Sequence, residues 1–528
     1  MVGYLVGKRI NMQASRFYNN SGPVNEVDHL CVSPIKRLDT NKVWQLILQK
    51  KYFLICGPKQ CGKTSYLLAL AKTINRNNFA KCLYFNVESL RGVQENLEES
   101  IRSVLFEISS RARDTFGDDY LEELVMGILE RRGPYQALNE FLTQWSKHSD
   151  KPIVLLVDEI DTLQDKVLTS ILSQIRAGYD KRPAFFPQSI IFCATHDVID
   201  KQFNIKDATL RLSFLRREDL DAMFKAQTEK HGIDIDKETI DRIWRYSAGQ
   251  PWIISTLAGE LFHEIAPAKG LSRISAEQVD EAIDNIIIKK GNHLEYLISK
   301  LQDDRVKRCL IPILSSGTLT QNIAEQDFTF IQELGLIKIE RNVEIANDLY
   351  KEIIPRALIG PVSYMINLDG EEFLQNDGRI DTLKLLRSFQ SFFRNHSDRL
   401  INLIDYGVAG YVLIFQALLQ RLVDANNMVS REYGIGQGRI VLRLKRSYPV
   451  VQHTTFILNP IRVWSYEKFK PMIAELVEEA AAYVAASPEA CGEVHVVAIN
   501  INPEFAWEGK MPYQKNGVAD KVTHFWGF

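Results

Sequence analysis

An eight-residue segment constrains the fold of this chain more than any other part of its sequence. Residues 57–64 read GPKQCGKT and fit the phosphate-loop pattern GxxxxGK followed by Ser or Thr without a mismatch. An apolar run, 52–56, precedes the segment, and a helical pattern, 65–73, follows it. In such a loop, backbone N–H groups and the N-terminus of the following helix surround a phosphate. The segment therefore predicts a P-loop nucleotide-binding domain.

Each residue type in this loop has a chemical reason. Glycines at 57 and 62 permit a tight turn and a close approach to phosphate. Lys63 can reach the β- and γ-phosphates of ATP, where we expect it to bind and to assist catalysis, and Thr64 can place its hydroxyl on Mg²⁺. Because Cys61 lies in the loop, we expect alkylation of its thiol to block nucleotide entry. We also expect bound ATP to protect this thiol from alkylation. The predicted cofactor-binding residues of the loop are Gly57, Pro58, Lys59, Gln60, Cys61, Gly62, Lys63, Thr64 and Ser65.

A pair of carboxylates follows a second apolar run. Residues 153–157 are all apolar and lead directly into Asp158 and Glu159. At the carboxyl end of a strand in an open α/β sheet, such acids face the ligand crevice. We expect Asp158 to hold Mg²⁺ and Glu159 to polarise the attacking water as general base. Asp161 serves either as an acid at a helix N-terminus or in catalysis, and both alternatives stay open.

Polar residues also follow the apolar run 190–194. Thr195 and His196 are candidate sensors of the γ-phosphate, and a capping turn is the alternative. The sequence does not select an arginine finger among Arg176, Arg182, Arg211, Arg216 and Arg217.

Composition and charge exclude several classes of protein. The chain has 528 residues, 45% hydrophobic and 25% charged, with a net charge of −2. This is the balance of a globular protein of several domains, without the basic excess that attracts nucleic acid or anionic lipid. Seven scattered cysteines with no CxxC pair favour free thiols in a reducing cytoplasm. The most apolar run, 406–419, is too short to span a bilayer, so we expect a cytoplasmic protein with no membrane partner.

Strand and helix patterns give the organisation of the chain. Apolar runs at 52–56, 82–87, 153–157 and 190–194 alternate with helical stretches, which predicts a parallel sheet covered on both faces. The fold class is therefore α/β: a P-loop NTPase sheet with a helical lid, a winged-helix domain and a C-terminal α/β domain. The predicted parts are an N-terminal segment 1–40, the ATPase core 41–215, the lid 216–295, the winged helix 296–360 and the last domain 361–528.

Two regions of the second half support these divisions. Helical patterns at 306–314 and 328–335 precede a hairpin of strands 336–339 and 343–345, which is a winged-helix outline. A Pro/Gly-bearing stretch, 355–361, is expected to link to the last domain. That domain has helices near 379–425 and 466–486 and strands near 439–444, 454–458 and 493–499.

The order of these features resembles P-loop ATPases of the AAA+/STAND class, and more closely a bacterial family of AAA-like ATP-binding proteins of about this length. The segments that carry the resemblance are SPIKRLD at 33–39, the phosphate loop, VDEID at 157–161, AGQPW at 248–252 and FWGF at 525–528. The resemblance implies that Pro251 contacts the nucleotide base. His196 stands where the family's pattern has an arginine after the sensor strand.

The last domain of that family resembles a PD-(D/E)XK nuclease, with an acid on a helix, GxGRxD on one strand and ExK on the next. Here the helix-to-strand stretch carries Glu432, and the aspartate position is Val441. Asn459-Pro460 replaces the acid and lysine of ExK, and Glu479 replaces a later glutamine. Because two-metal phosphodiester chemistry needs clustered carboxylates, we expect the fold to persist without its metal site.

Charge patterns limit nucleic-acid binding. Along 439–445, alternation places Val441 on one face with Arg439, Arg443 and Lys445, a basic face that suits nucleic acid or an acidic partner. A core sheet with a solvated edge is an equally good alternative. Residues 296–360 hold eight Lys or Arg and nine Asp or Glu, and the expected recognition helix, 328–335, has no Lys or Arg. Since phosphate neutralisation dominates affinity for DNA, we expect a structural or autoinhibitory winged helix instead.

These patterns predict a P-loop ATPase that binds ATP and Mg²⁺, hydrolyses ATP slowly and switches conformation with the nucleotide. A protein partner, or a second copy of the chain through self-association, would respond to this change of conformation. The alternatives are an ATP-dependent nuclease that processes nucleic acid and a nucleotide-dependent scaffold that does not hydrolyse ATP.

Overall fold

The chain divides into two compact units, Met1–Val279 and Asp280–Phe528. The structure, a computed structural model, describes residues 16–19, 21–93, 95–163, 165–196, 206–289, 292–316, 323–339, 343–363, 370–404, 413–415, 419, 427–433, 440–446, 450–461, 465–486, 492–500, 513–518 and 521–527. None of the described helices is long and apolar enough to cross a membrane.

A five-stranded parallel sheet forms the centre of the first unit, which confirms the predicted α/β class. Its strands are β1 (Tyr52–Cys56), β2 (Lys81–Asn86), β3 (Ile153–Asp158), β4 (Ser189–Ala194) and β5 (Lys206–Arg211), in the order β2-β3-β4-β1-β5. The four apolar runs are strands as predicted. The edge strand β5 was missed because its sequence, KDATLR, has no apolar run.

Two hydrophobic cores cover the faces of this sheet. In β1, Tyr52, Leu54 and Cys56 belong to one core, and Phe53 and Ile55 belong to the other. All five side chains are buried, because a parallel strand packs on both faces. This double burial explains why the strand is a continuous apolar run in the sequence.

Helices surround the sheet and then continue beyond it. The helices of the sheet region are α1 (Thr40–Leu48), α2 (Lys63–Asn77), α3 (Leu97–Phe116), α4 (Tyr120–Arg132), α5 (Ala137–His148) and α6 (Asp165–Ala177). Those that follow are α7 (Arg217–His231), α8 (Lys237–Ser247), α9 (Pro251–Gly259), α10 (Ala266–Lys269) and α11 (Ala276–Lys289). A π-helical segment, Glu260–Ile265, joins α9 to α10, and two short strands, β6 (Asp234–Ile235) and β7 (Arg273–Ile274), pair in parallel.

Among the described residues, the first part of the second unit contains four helices and a hairpin. They are α12 (Asn292–Lys300), α13 (Asp304–Ser316), α14 (Glu325–Glu333), β8 (Ile337–Ile339), β9 (Val343–Ile345) and α15 (Asp348–Ser363). The expected linking stretch, 355–361, lies inside α15, so it is helical and not a turn. The buried Leu349, Ile353 and Leu358 of α15 recur at helical spacing, and this packing outweighs the local effect of proline.

A six-stranded mixed sheet forms the last part, flanked by α16 (Thr382–Ile404) and α17 (Tyr466–Ala486). Its strands are β10 (Asn427–Tyr433), β11 (Ile440–Arg446), β12 (Gln452–Ile461), β13 (Glu493–Asn500), β14 (Tyr513–Val518) and β15 (Lys521–Gly527), in the order β10-β11-β12-β13-β15-β14. Strands β11, β12 and β13 lie where the sequence predicted them. The sequence patterns missed β10, β14 and β15, in which polar residues interrupt the apolar positions.

Candidate nucleotide-binding site

The phosphate loop leaves β1 and ends where α2 begins, at Lys63. A Cβ atom on Gly57 would lie 2.3 Å from the carbonyl oxygen of Leu212, so only glycine lets the chain pass there. Gly62 has a φ of +98°, a conformation that side chains other than glycine rarely adopt. The two glycines therefore fix the shape of the loop.

Lys63 is buried inside the loop that it follows. Its ammonium donates hydrogen bonds to the carbonyl oxygens of Gly57, at 3.0 Å, and Pro58, at 3.1 Å. Burial lowers the pKa of Lys63, but nearby acidic groups, which include Glu159 and Asp161, outweigh this effect and leave the pKa raised. The side chain thus stays a cation held against the loop.

The two predicted metal-binding residues meet through a hydrogen bond. The Thr64 hydroxyl donates to Oδ2 of Asp158 at 2.7 Å, and the backbone N–H of Glu159 donates to Oδ1 at 3.0 Å. Asp158 is fully buried at the end of β3. A third donor was not predicted: the hydroxyl of Tyr84 in β2 lies 3.0 Å from Asp158 Oδ2. Oxygen ligands of this kind fit Mg²⁺.

Glu159 follows Asp158 in a left-handed backbone conformation, with a φ of 59°. Its half-buried carboxyl group has a raised pKa, chiefly because burial disfavours the charge, while Lys63 opposes the shift and Asp161 adds to it. A raised pKa suits a general base, since it increases the driving force for accepting a proton.

Asp161 connects the ends of two neighbouring strands. Its Oδ2 atom accepts hydrogen bonds from the backbone N–H of Thr195, at 2.9 Å, and from the Thr195 hydroxyl. His196 is partly exposed, and its Nδ1 atom lies 4.0 Å from the same oxygen. The structure therefore gives Asp161 the role of holding the segment after β4.

Cys61 faces away from the mouth of the loop. Its side chain is fully buried in the core that also contains Phe53 and Ile55, and burial raises the pKa of its thiol. The prediction that alkylation of Cys61 blocks nucleotide entry is therefore wrong for the folded protein. The sequence pattern shows that the position is in the loop but not which way the side chain points.

Two of the other loop residues differ in their surroundings. Gln60 is exposed and has a φ of 60°. The Ser65 hydroxyl accepts a hydrogen bond from the backbone N–H of Val24 at 2.9 Å, which ties the N-terminal segment to α2.

A second side of the loop was not predicted from the sequence. The segment 212–215 joins the loop to the turn before α9: the N–H of Leu212 donates to Cys56 and that of Leu215 donates to Gly249. The Arg37 guanidinium donates a hydrogen bond to the carbonyl oxygen of Ser213. The same guanidinium lies beside the loop, because a Cβ atom on Gly62 would be 3.3 Å from its Nη1 atom. Arg37 lies in the segment 33–39 that carried the resemblance, but only the fold brings it to the loop.

Pro251 is the first residue of α9, as the helix stop and start in the sequence indicate. The turn before it passes close to Leu215, because a Cβ on Gly249 would lie 2.2 Å from the Leu215 carbonyl oxygen. The structure thus places Pro251 after a turn that is hydrogen-bonded to the segment beside the loop.

The candidate arginines have varied partners. Arg182 stacks on Tyr179 and donates to backbone carbonyls, and Arg217 forms ion pairs with Asp221 and Asp241. Arg216 pairs with Asp219 in the first turn of α7. Arg176 and Arg211 are exposed.

The positions compared with those of a nuclease, Glu432 and Val441, lie on neighbouring strands of the last sheet. Glu432 lies on β10, not in a helix-to-strand stretch, and its backbone is paired opposite Val441. Val441 is 1% exposed and packs with Ile457 of β12 and Phe469 of α17. At Val441 the structure fits the alternative of a core sheet, because α17 covers that side of the sheet. Within the described ranges, no group of three or more His, Cys, Asp or Glu side chains forms a metal-binding cluster.

The fold and the loop geometry of the first unit define an ATPase-type P-loop domain. In agreement, residues 43–257 are similar to a family described as an ATPase domain predominantly from Archaea. No curated protein matches the chain.

Several solved structures are similar to parts of this chain. The Walker-type ATPase of Pyrococcus abyssi is 13% identical, with a TM-score of 0.45, over 64% of this chain and 99% of its own. The RuvB Holliday junction branch migration motor of Thermotoga maritima is 15% identical, with a TM-score of 0.33, over 60% of this chain and 94% of its own. Cdc6p of Pyrobaculum aerophilum is 14% identical, with a TM-score of 0.33, over 60% and 93%.

Proposed function

We propose that this chain is an ATPase that binds MgATP at the phosphate loop, hydrolyses it slowly and acts as a nucleotide-dependent conformational switch. The observation that carries the proposal is the 2.7 Å hydrogen bond between Thr64 and Asp158. It joins a hydroxyl from α2 to a buried carboxylate from β3, two oxygen groups that suit Mg²⁺.

The remaining roles follow from the same site. Lys63 would bind the β- and γ-phosphates, and Thr64 and Asp158 would hold Mg²⁺, which neutralises phosphate charge during transfer. Glu159, with its raised pKa, would accept the proton of the attacking water. Thr195, held by Asp161, would sense the γ-phosphate.

Contacts within the first unit support a switch. The N-terminal segment 16–33 reaches α2 through Val24 and packs Tyr18 on Phe262 and His263, which follow α9. The turn before Pro251 is bonded to Leu215 near the loop. We propose that residues 216–295 are the lid, that Pro251 contacts the base, and that nucleotide binding changes how the lid packs.

The second unit would use this switch rather than cut nucleic acid. We propose that 296–360 is a structural or autoinhibitory winged helix and that 361–528 is a nuclease-like domain without its metal site. The buried Val441 supports this, because the position that needs a metal-binding aspartate belongs to a hydrophobic core. A protein partner or a second copy in the cytoplasm of a bacterium would respond to the nucleotide state.

Loss of the loop cation tests the binding step. In Lys63→Ala, we expect MgATP affinity to fall by two orders of magnitude or more, roughly 3 kcal/mol, because a charge-assisted contact to phosphate is lost. Isothermal titration calorimetry measures this, with Lys72→Ala, an exposed lysine of the same helix, as the control. If Lys63→Ala binds MgATP as tightly as the parent, the proposed site is wrong.

A further inference from the structure

Tyr84 contacts the carboxylate that we assign to Mg²⁺, although no sequence pattern pointed to it. Its hydroxyl donates to Asp158 Oδ2 at 3.0 Å, and this oxygen also accepts the Thr64 hydroxyl at 2.7 Å. We propose that Tyr84 is a positioning residue of the Mg²⁺ site, which acts through Asp158 without touching the metal. This inference rests on the proposed ATPase function.

The sheet register explains why Tyr84 can reach this carboxylate. In the β2–β3 pair, Asn86 is opposite Asp158 and Tyr84 is opposite Leu156. Residues two apart share a face of a strand, so Tyr84, Leu156 and Asp158 face the same side of the sheet. That side is the core in which Leu156 is buried and against which Tyr84 packs.

The Tyr84 hydroxyl is the donor of this hydrogen bond, and the Asp158 carboxyl oxygen is its acceptor. Burial, with the charge of Asp158 next in effect, raises the pKa of Tyr84.

The Asp158 carboxylate is thereby fixed before metal arrives. Oδ1 is held by the N–H of Glu159, and Oδ2 is held by Thr64 and Tyr84. Groups that orient a metal-binding carboxylate increase metal affinity, because less freedom is lost on binding. If Tyr84 is removed, the Thr64 hydroxyl alone must both orient Oδ2 and offer its oxygen to the metal.

Tyr66 shows that a tyrosine in this core can be buried without a hydrogen bond of the kind that Tyr84 forms. Tyr66 of α2 is fully buried in the same core, and the described residues give its hydroxyl no hydrogen-bond partner. The two tyrosines thus form a matched pair, one directed at the metal carboxylate and one not.

The test compares Tyr84→Phe with Tyr66→Phe in the full chain. ATP binding and phosphate release are titrated with Mg²⁺, and ATP binding is also measured in EDTA. For Tyr84→Phe we expect the half-saturating Mg²⁺ concentration to rise roughly tenfold or more, as for other groups that orient metal ligands. Metal-free ATP binding and the unfolding temperature should stay unchanged, and Tyr66→Phe should match the parent in its Mg²⁺ dependence.

A double variant identifies the route of the effect. If Tyr84 acts through the carboxylate, Tyr84→Phe should change the Mg²⁺ dependence little further in an Asp158→Asn background. A Tyr84→Phe protein with the Mg²⁺ dependence of the parent would overturn the inference and leave the ATPase proposal intact. A parent protein that binds no MgATP would overturn both.

Discussion

Cys61 and Lys63 are near neighbours in the phosphate loop, and the structure orients their side chains differently. Lys63 is buried, but its ammonium ends on the loop carbonyls of Gly57 and Pro58. Cys61 is buried among apolar side chains, where desolvation raises the pKa of its thiol. A cation can therefore meet phosphate at this loop, whereas the thiol remains a structural group.

Thiol labelling distinguishes these environments. Because only the thiolate reacts and Cys61 is both buried and protonated, we expect no labelling of Cys61 in the native protein, with or without ATP. Peptide mass spectrometry after treatment with iodoacetamide at pH 8 measures this, and the urea-unfolded protein, in which Cys61 should label, is the control. Rapid native labelling that ATP prevents would contradict the position of this side chain.

The pH dependence of hydrolysis depends on Glu159. A general base works only when ionised, so the rate is present above its pKa and is lost as the pH falls through it. Burial raises that pKa above the usual 4.5, so we expect the acidic limb of kcat/KM at a higher pH than 4.5. Initial rates between pH 4 and 8 measure the limb, with circular dichroism at each pH to follow folding. A rate that stays constant down to pH 4.5 in the folded protein would exclude this assignment.

At the scale of single elements, β11 and α17 decide what the last sheet can do. The strand presents Val441 to a helix that covers it with Phe469 and Ile473, whereas metal chemistry needs clustered carboxylates at such a site. Restoring one acid by substitution would bury a charge without a partner instead of creating a site.

We therefore expect Val441→Asp to lower the free energy of unfolding of the unit by about 3–5 kcal/mol, the cost of an unpaired buried charge. The Val441→Asp protein should not cleave DNA or RNA in the presence of Mg²⁺ or Mn²⁺. Denaturant titration and a gel assay measure the two effects. Val451→Asp, at a position 64% exposed just before β12, is the control and should be close to neutral. A stable variant that cleaves nucleic acid would support the nuclease alternative.

Across the whole molecule, the features that the sequence predicts best are those that depend on a single short segment. The phosphate loop, the apolar strands of the first sheet and the helix start at Pro251 could all be predicted, because spacing and burial on both faces fix them locally. The edge strand β5 and the contacts of Arg37 and Tyr84 could not. They depend on pairing between segments that are distant in sequence, such as 37 with 213 and 84 with 158.

The last domain also shows what a local sequence pattern does not predict. Alternation along β11 predicts which residues share each face of the strand, but it does not predict that α17 covers the face that contains Val441. Side chains alternate between the two faces of a strand whether a face is exposed to solvent or covered by a helix. When a face carries both apolar and charged residues, the sequence of that strand alone therefore does not show whether the face is covered.

The central claim, that ATP is hydrolysed at Asp158-Glu159, is tested most directly by steady-state phosphate release from Glu159→Gln. The amide fills the space of the carboxyl group but cannot accept a proton, so we expect MgATP affinity within a few-fold of the parent and release slowed by about 100-fold or more. The parent should show slow, Mg²⁺-dependent release. Release by Glu159→Gln at the parental rate would contradict this account of the site.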